Sequence, residues 1–389
     1  MVSFRKRRCS SGPVNMTNGR RARLPRLLFL PVFLILIMLQ HGVRAQEVSD
    51  EDSSRVKKFG WLAYPYVFLS PETNWAFGLG GIVYFRFSED SLIKPSSITP
   101  SGYYSVNNQY DVTIIPEFYF GTSFYLYSYF STGKYIDKFY GIGPDSKEID
   151  YPDYEHRTTV IQLNLQPQIS EQIRAGLYSR FLFKSISDPR QNPYILSQSV
   201  TGYNGGTSVG LGGVVARDTR DQRFYPTSGL LNEVRMVFYS KAWGSDYDYN
   251  KLEVDLRGYT SIGSDNEHVL GMQLYGVFCS SNTPFYDDAL LGGKMIMRGY
   301  YQGRYRDNSL LAGQMEYRTH LFWRIGGVAF FGAGNVMPNI KETELKDLQY
   351  SYGLGLRFQF DVVEKIDIRA DFGFGKGTSG VYFDVQQAF

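Results

Sequence analysis

Polar and apolar residues alternate with a period of two along most of this chain. From Tyr350 to Phe360 one face carries Tyr350, Tyr352, Leu354, Leu356, Phe358 and Phe360, and the other Ser351, Gly353, Gly355, Arg357 and Gln359. Ile366, Ile368, Ala370, Phe372 and Phe374 alternate with Asp367, Arg369, Asp371 and Gly373. Val381, Phe383, Val385 and Phe389 alternate with Tyr382, Asp384, Gln386 and Ala388. The same pattern holds for Ile161 to Ile169 and Leu252 to Leu256. Such alternation predicts strands of a sheet with one apolar face. Two architectures satisfy it: a soluble sandwich with its apolar faces inward, and a membrane barrel with its apolar faces outward.

Three features favour an all-β, transmembrane antiparallel β-barrel. The polar face is rich in charge, as a wet lumen allows. The segments run about ten residues, the length a tilted strand needs to cross the hydrocarbon layer. The sequence also reads as ending inside a strand, on Phe389. Sixteen candidates emerge: 61–69, 75–87, 97–107, 109–120, 122–132, 156–169, 172–185, 207–217, 229–239, 250–262, 267–278, 310–321, 326–334, 349–358, 364–373 and 380–389. An even number suits a single-chain bacterial barrel. Long polar connections (133–155, 186–206, 240–249, 279–309, 335–348) alternate with short ones, which predicts outside loops, periplasmic turns and both termini in the periplasm.

The N-terminus departs from this pattern. Arg5, Lys6, Arg7, Arg8, Arg20, Arg21, Arg23 and Arg26 precede an apolar run from Leu27 to Leu39, and Val43-Arg44-Ala45 offers a cleavage site. Residues 1–45 therefore read as a cleaved signal peptide, 46–58 as a short periplasmic tail and 59–389 as the barrel. Nine of the 41 Lys and Arg residues lie in the first 45, which contain no Asp or Glu, so the remainder carries 32 basic against 38 acidic residues. That balance argues against nucleic acid as a partner. Trp61, Trp75, Trp243 and Trp323, with the 31 Tyr, suit aromatic girdles at membrane interfaces.

Signs of reaction chemistry are sparse. His156, His268 and His320 lack metal-ligand spacing, and no nucleophile elbow or phosphate-binding loop is present. The reading is no metal, no cofactor and no enzyme, with a Ser/His hydrolase site involving His320 as the weighed alternative. With Cys9 in the leader, Cys279 is left alone, so no internal disulfide is available.

Several motifs say more than barrel. Gly292-Gly293-Lys294-Met295-Ile296-Met297-Arg298-Gly299-Tyr300-Tyr301 lies in the long connection before the twelfth candidate strand. Arg217-Asp218-Thr219-Arg220-Asp221 is followed by Phe224-Tyr225-Pro226-Thr227-Ser228-Gly229. Glu316-Tyr317-Arg318 lies on the twelfth candidate strand, and Phe330-Phe331-Gly332-Ala333-Gly334 follows. In these four features, in this order, the chain resembles the outer-membrane assembly superfamily that includes BamA and TamA, also called the bacterial surface antigen family. Arg-Gly-Tyr alone is weak, since it recurs at 257–259 in a plain strand.

The resemblance implies that the loop folds into the lumen and locks there through Arg298, Gly299 and Tyr300, with Glu316 as the partner of Arg298. An Arg fork pairs bidentately with carboxylates. The family's second carboxylate is replaced here by Gly332, so the lock is expected to be weaker or differently paired. Asp218, Arg220, Asp221, Tyr225, Pro226 and Gly229 would form the family's periplasmic turn, and Phe389 a C-terminal barrel signal. With only 46–58 before the first strand, the chain reads as a barrel-only member without POTRA domains. The implied function is insertion or translocation of polypeptides at the outer membrane of a Gram-negative bacterium. The implied partners are outer-membrane lipids and unfolded outer-membrane proteins or other translocated polypeptides, engaged by a monomeric barrel. The competing reading is a passive channel or structural barrel without clients.

Overall fold

The computed structural model describes residues 58–70, 73–88, 93–146, 153–188, 192–263, 267–342 and 345–389. The leader at 1–45 and most of the 46–58 tail lie outside the described residues. Sixteen antiparallel strands form one sheet. The first eight are β1 (Phe59–Ser70), β2 (Asn74–Phe85), β3 (Ser96–Ser105), β4 (Tyr110–Phe120), β5 (Phe124–Asp137), β6 (Tyr154–Pro167), β7 (Ile173–Asp188) and β8 (Gly205–Asp218). Next come β9 (Gly229–Tyr239), β10 (Tyr249–Ser261) and β11 (His268–Cys279). A small two-stranded ribbon, β12 (Ala289–Leu291) with β13 (Tyr305–Asp307), interrupts the series. The sheet resumes with β14 (Ser309–Phe322), β15 (Ile325–Met337), β16 (Gln349–Asp361), β17 (Ile366–Gly375) and β18 (Thr378–Val385). No helix among the described residues is long and apolar enough to cross a membrane; the crossing elements are strands.

The alternation sorts the faces as a barrel requires. Tyr350, Tyr352, Leu354 and Leu356 are exposed on the outer wall, while Ser351, Gly353, Gly355 and Arg357 are buried on the inner one. Leu79 and Leu177 are each 70% exposed, an arrangement that suits hydrocarbon outside. The pleat then puts Asp367, Arg369 and Asp371 inside together, all buried. Pro116 stays within β4, but the β4–β5 ladder skips Ile115 and Pro116. Proline has no N–H to give the ladder there.

Every pair of neighbours in the sheet order has a registered ladder, from β1–β2 to β17–β18. Among the described residues β1 and β18 have none, although β18 lies beside β1. β18 is also short, with 8 residues against 12 in β1 and 16 in β7.

The end of the chain differs from the sequence reading. The last strand stops at Val385, and Gln386 takes a left-handed φ of 73°. The chain turns into the lumen, where Gln386 N–H donates to Asp367 O at 2.7 Å. Phe389 is 4% exposed and packs with Tyr259 and Ala388. It is therefore not a lipid-facing residue closing an alternating strand. Arg318 and Arg357 give the physical reason. Arg318 Nη2 donates to Phe389 O at 2.9 Å, and Arg357 Nε donates to Gln387 Oε1 at 2.8 Å. These buried donors draw the segment inward, because an unmet buried donor is costly.

Candidate functional site

The connection from β11 to β14 spans 280–308 and folds into the lumen rather than away from the barrel. Its base is fixed by Asp287, which accepts from Arg180 Nη1 on β7 at 2.8 Å, from the Tyr249 hydroxyl at 2.6 Å and from Lys251 Nζ on β10 at 3.2 Å. Burial disfavours the Asp287 carboxylate, but Arg180 and Lys251 outweigh it and hold its pKa well below the usual range. Phe285 and Tyr286 pack with Phe139, Tyr154, Leu182 and Ile195 from the neighbouring wall and loops. The β12–β13 ribbon then carries the chain down to its tip.

At the tip, Met297 and Gly299 have φ values of 56° and 114°, which turn the backbone sharply on either side of Arg298. Gly299 is required by contact as well as by φ. A Cβ there would lie 2.6 Å from the backbone carbon of Phe374, so the loop main chain rests directly on β17. Tyr300 stands over Gly375. Its hydroxyl donates to Tyr350 O at 3.0 Å and accepts from Lys376 N–H at 2.9 Å.

Arg298 is completely buried. Its Nη2 meets Glu316 Oε2 at 2.7 Å, and its Nη1 meets Asp371 Oδ2 at 2.5 Å. The guanidinium also lies 3.6 Å from the ring centroid of Phe330 on β15, a close cation–π contact. Around it, Arg318 Nε pairs with Glu316 Oε1 at 2.9 Å. Arg357 Nη1 pairs with Asp371 Oδ1 at 2.6 Å, and Arg369 Nη1 with Asp371 Oδ2 at 3.0 Å. Four arginines thus face two carboxylates. Of the surplus donors, Arg369 Nη2 reaches Asp384 on β18 at 3.2 Å and Arg318 Nη2 reaches the Phe389 carbonyl, while Arg298 Nε, Arg357 Nη2 and Arg369 Nε find no hydrogen-bond partner among the described residues.

The structure brings Arg298, Gly299, Tyr300 and Glu316 together. It also shows what stands in for a carboxylate at Gly332. A Cβ at 332 would lie 3.0 Å from Met297 Sδ, so the loop occupies that space. The second carboxylate comes instead from Asp371, on β17. Sequence reasoning missed Asp371, Arg357, Arg369 and Phe330 as partners. For Asp371 and Arg369 the signal was the run of charges on one face of 367–371, and for Arg357 its place on the polar face of 350–360; both mark a lumen wall without revealing its depth.

The 218–229 connection also enters the lumen, from the opposite end. Arg220 grips Asp218 through Nε at 3.0 Å and Nη2 at 3.1 Å. Asp221 accepts from the N–H groups of Thr227 (2.9 Å) and Ser228 (3.1 Å), closing the turn, and Gly229 has φ 96°. Between them the chain projects inward. Phe224 is buried with Leu62 of β1, Ile82 and Tyr84 of β2 and Ile366 of β17. Tyr225 lies 5.7 Å from the Arg318 guanidinium, and Pro226 O accepts from Arg318 Nη1 at 3.5 Å. Loop, turn and final segment therefore converge on Glu316 and Arg318. A lumen cavity of about 240 Å³ remains beside Met295 and Ile296, walled by the paired charges Glu233, Arg235, Glu253, Asp255 and Arg257. The Arg-Gly-Tyr at 257–259 lies within β10, where Arg257 pairs with Asp255 at 2.5 Å and does not repeat this arrangement. No cluster of potential metal ligands occurs among the described residues.

The Omp85 superfamily domain matches residues 96–389. The chain belongs to the Omp85 superfamily. This Omp85 chain is similar in structure to BamA from Haemophilus ducreyi lacking POTRA domains 1–3, with 14% identity, a TM-score of 0.52, and coverage of 85% of this chain and 69% of that one. It is also similar to CdiB from Acinetobacter baumannii, with 14% identity, a TM-score of 0.55, and coverage of 85% of this chain and 60% of that one. The chain thus spans less than two thirds of CdiB. At such identities the likeness is one of fold: an outer-membrane barrel of the Omp85 type. No curated protein sequence matches it.

Proposed function

We propose that this Omp85 barrel inserts or translocates polypeptides at the outer membrane, acting through the β1/β18 seam while the 280–308 loop braces the lumen. The observation that carries this reading is that, among the described residues, no ladder joins β1 to β18 in a sheet whose other neighbours all pair. An unpaired strand edge presents a row of N–H and C=O groups that an incoming strand can satisfy. Pro65 in β1 suits an edge, since it offers no donor. The seated Arg298 tip, held by Glu316 of β14 and Asp371 of β17, braces the wall beside the seam while the seam changes.

In this reading the leader at 1–45 is a cleaved signal peptide, and 46–58 is a periplasmic tail. The barrel works as a monomer in outer-membrane lipid of a Gram-negative bacterium. Its clients are unfolded outer-membrane proteins or other translocated polypeptides. The convergence of loop, turn and final segment in the lumen weighs against a passive open channel.

Reconstitution tests it. Liposomes containing the protein should fold an urea-denatured outer-membrane barrel faster than empty liposomes, read as heat-modifiable product. A steady open conductance with no acceleration of folding would support the passive channel instead.

A further inference from the structure

One side chain joins the seam strand to the loop tip. Gly299 N–H donates to the Tyr382 hydroxyl at 2.9 Å, and that hydroxyl donates to Tyr300 O at 3.4 Å. Both loop groups are main-chain atoms within two residues of the buried Arg298. Tyr382 lies on β18, and its ring is laid over Gly380: a Cβ there would come within 2.6 Å of the hydroxyl oxygen. The glycine therefore leaves the space the ring needs to reach the loop.

The second contact between loop and seam strand is weaker. Lys294 Nζ lies 2.8 Å from Asp384 Oδ2, but the Lys294 side chain is 58% exposed and such a pair contributes little. The partly buried Tyr382 bridge is the firmer tie. It acts on a strand otherwise held by its ladder to β17 and by the Arg369–Asp384 pair. β18 has 8 residues, and among the described residues its one registered ladder is to β17.

We propose that Tyr382 is a positioning residue that couples the seating of the 280–308 loop to the state of the seam. With Arg298 clamped between Glu316 and Asp371, the loop tip is fixed, and Tyr382 holds β18 against it and out of register with β1. When the loop unseats, β18 is released and can pair with β1. The inference rests on the seam reading above and names how that seam is regulated. Loop position and seam pairing become one equilibrium rather than two.

The test is pulsed electron–electron distance measurement in proteoliposomes without any client. Spin labels are placed at Val67→Cys on β1 and Phe383→Cys on β18, in a Cys279→Ser background. Four proteins are compared: the parent, R298A, Y382F and R298A/Y382F. Y382F keeps the ring over Gly380 and removes its hydroxyl. It should raise the short-distance, seam-paired fraction about fivefold, the scale of one hydrogen bond's net contribution. R298A should do the same or more, and the double variant should go no further than R298A alone. Protease protection of 280–308 should survive in Y382F, because the Arg298 ion pairs are untouched, which separates loss of coupling from loss of fold. A parent-like distribution in Y382F, or fully additive effects, would overturn the proposal. Failure to fold clients in the liposome assay would count against the insertion reading and leave these distances unaffected.

Discussion

Arg298 on the in-folded loop and Asp371 on β17 form a fully buried ion pair, Nη1 to Oδ2 at 2.5 Å, across 73 residues of sequence. The pair sits beside the seam, since β17 is the strand that holds β18. Its strength depends on the neighbours. Arg357 and Arg369 share Asp371, while Glu316 takes the other branch of the Arg298 fork. Removing a carboxylate leaves buried arginines unmatched, whereas removing Arg298 leaves Glu316 with Arg318 and Asp371 with Arg357 and Arg369.

Arg298→Ala is therefore expected to cost less than the roughly 3–5 kcal/mol of breaking an isolated buried pair from one side, with the loss falling on the anchorage of the loop. The barrel should lose heat resistance in gel-shift melting, and trypsin should cut within 280–308 much faster. Asp371→Asn should resemble Glu316→Gln in both measurements. A silent Asp371→Asn would mean that Glu316 alone holds the loop.

Gly299→Ala tests the close approach rather than the charge. A left-handed φ of 114° and a Cβ 2.6 Å from Phe374 leave no room for a methyl group. The loop should unseat at a cost of about 2–4 kcal/mol, combining backbone strain with overpacking. Limited proteolysis should show cleavage at the loop while the barrel strands stay protected.

The strands and their facing were legible in the sequence, because lipid outside and polar groups inside impose a strict period of two. Tyr350 to Arg357 and Ile366 to Phe374 show this directly. The sixteen-strand count follows from the same rule. What the pattern could not supply was depth along the barrel. Glu316 and Asp371 come from strands separated by β15 and β16, and only the registers of three ladders bring them to one level. The alternation also ran past its true end. It continues through Phe389 on paper, but the buried donors of Arg318 and Arg357 draw the last residues inward. The short β12–β13 ribbon was hidden for a different reason, since three-residue strands leave no periodic signal.

Phe389→Trp reports where that last residue lies. In liposomes containing brominated lipid, an outward tryptophan would be strongly quenched. The inward position beside Tyr259 and Arg318 predicts little quenching. Phe389→Ala should lower stability by about 3 kcal/mol through loss of a buried aromatic, without changing the lipid-facing surface.

The loop should also respond to pH. Burial pushes the Asp288 carboxyl up from 3.8 to about 7, with Arg306 opposing and Asp287 adding to the rise. A raised folded-state value means the folded loop binds a proton that the unfolded chain has already lost over this interval. The stabilisation is complete below the ordinary aspartate range and fades as pH climbs through about 7. Proteolysis of 280–308 should therefore be slower at about pH 5.5 than at about pH 8. Asp288→Asn should flatten that difference, and an unchanged pH dependence in the variant would assign it to another group.

In-cell photo-crosslinking examines most directly whether the β1 edge receives client strands. The probe belongs at Tyr66 on β1 and at Phe383 on β18, which leaves Tyr382 intact. Crosslinks are expected from β1 to unfinished outer-membrane barrels, reduced by Arg298→Ala. Crosslinks only between β1 and β18 would mean a seam that stays closed, and would contradict the insertion reading.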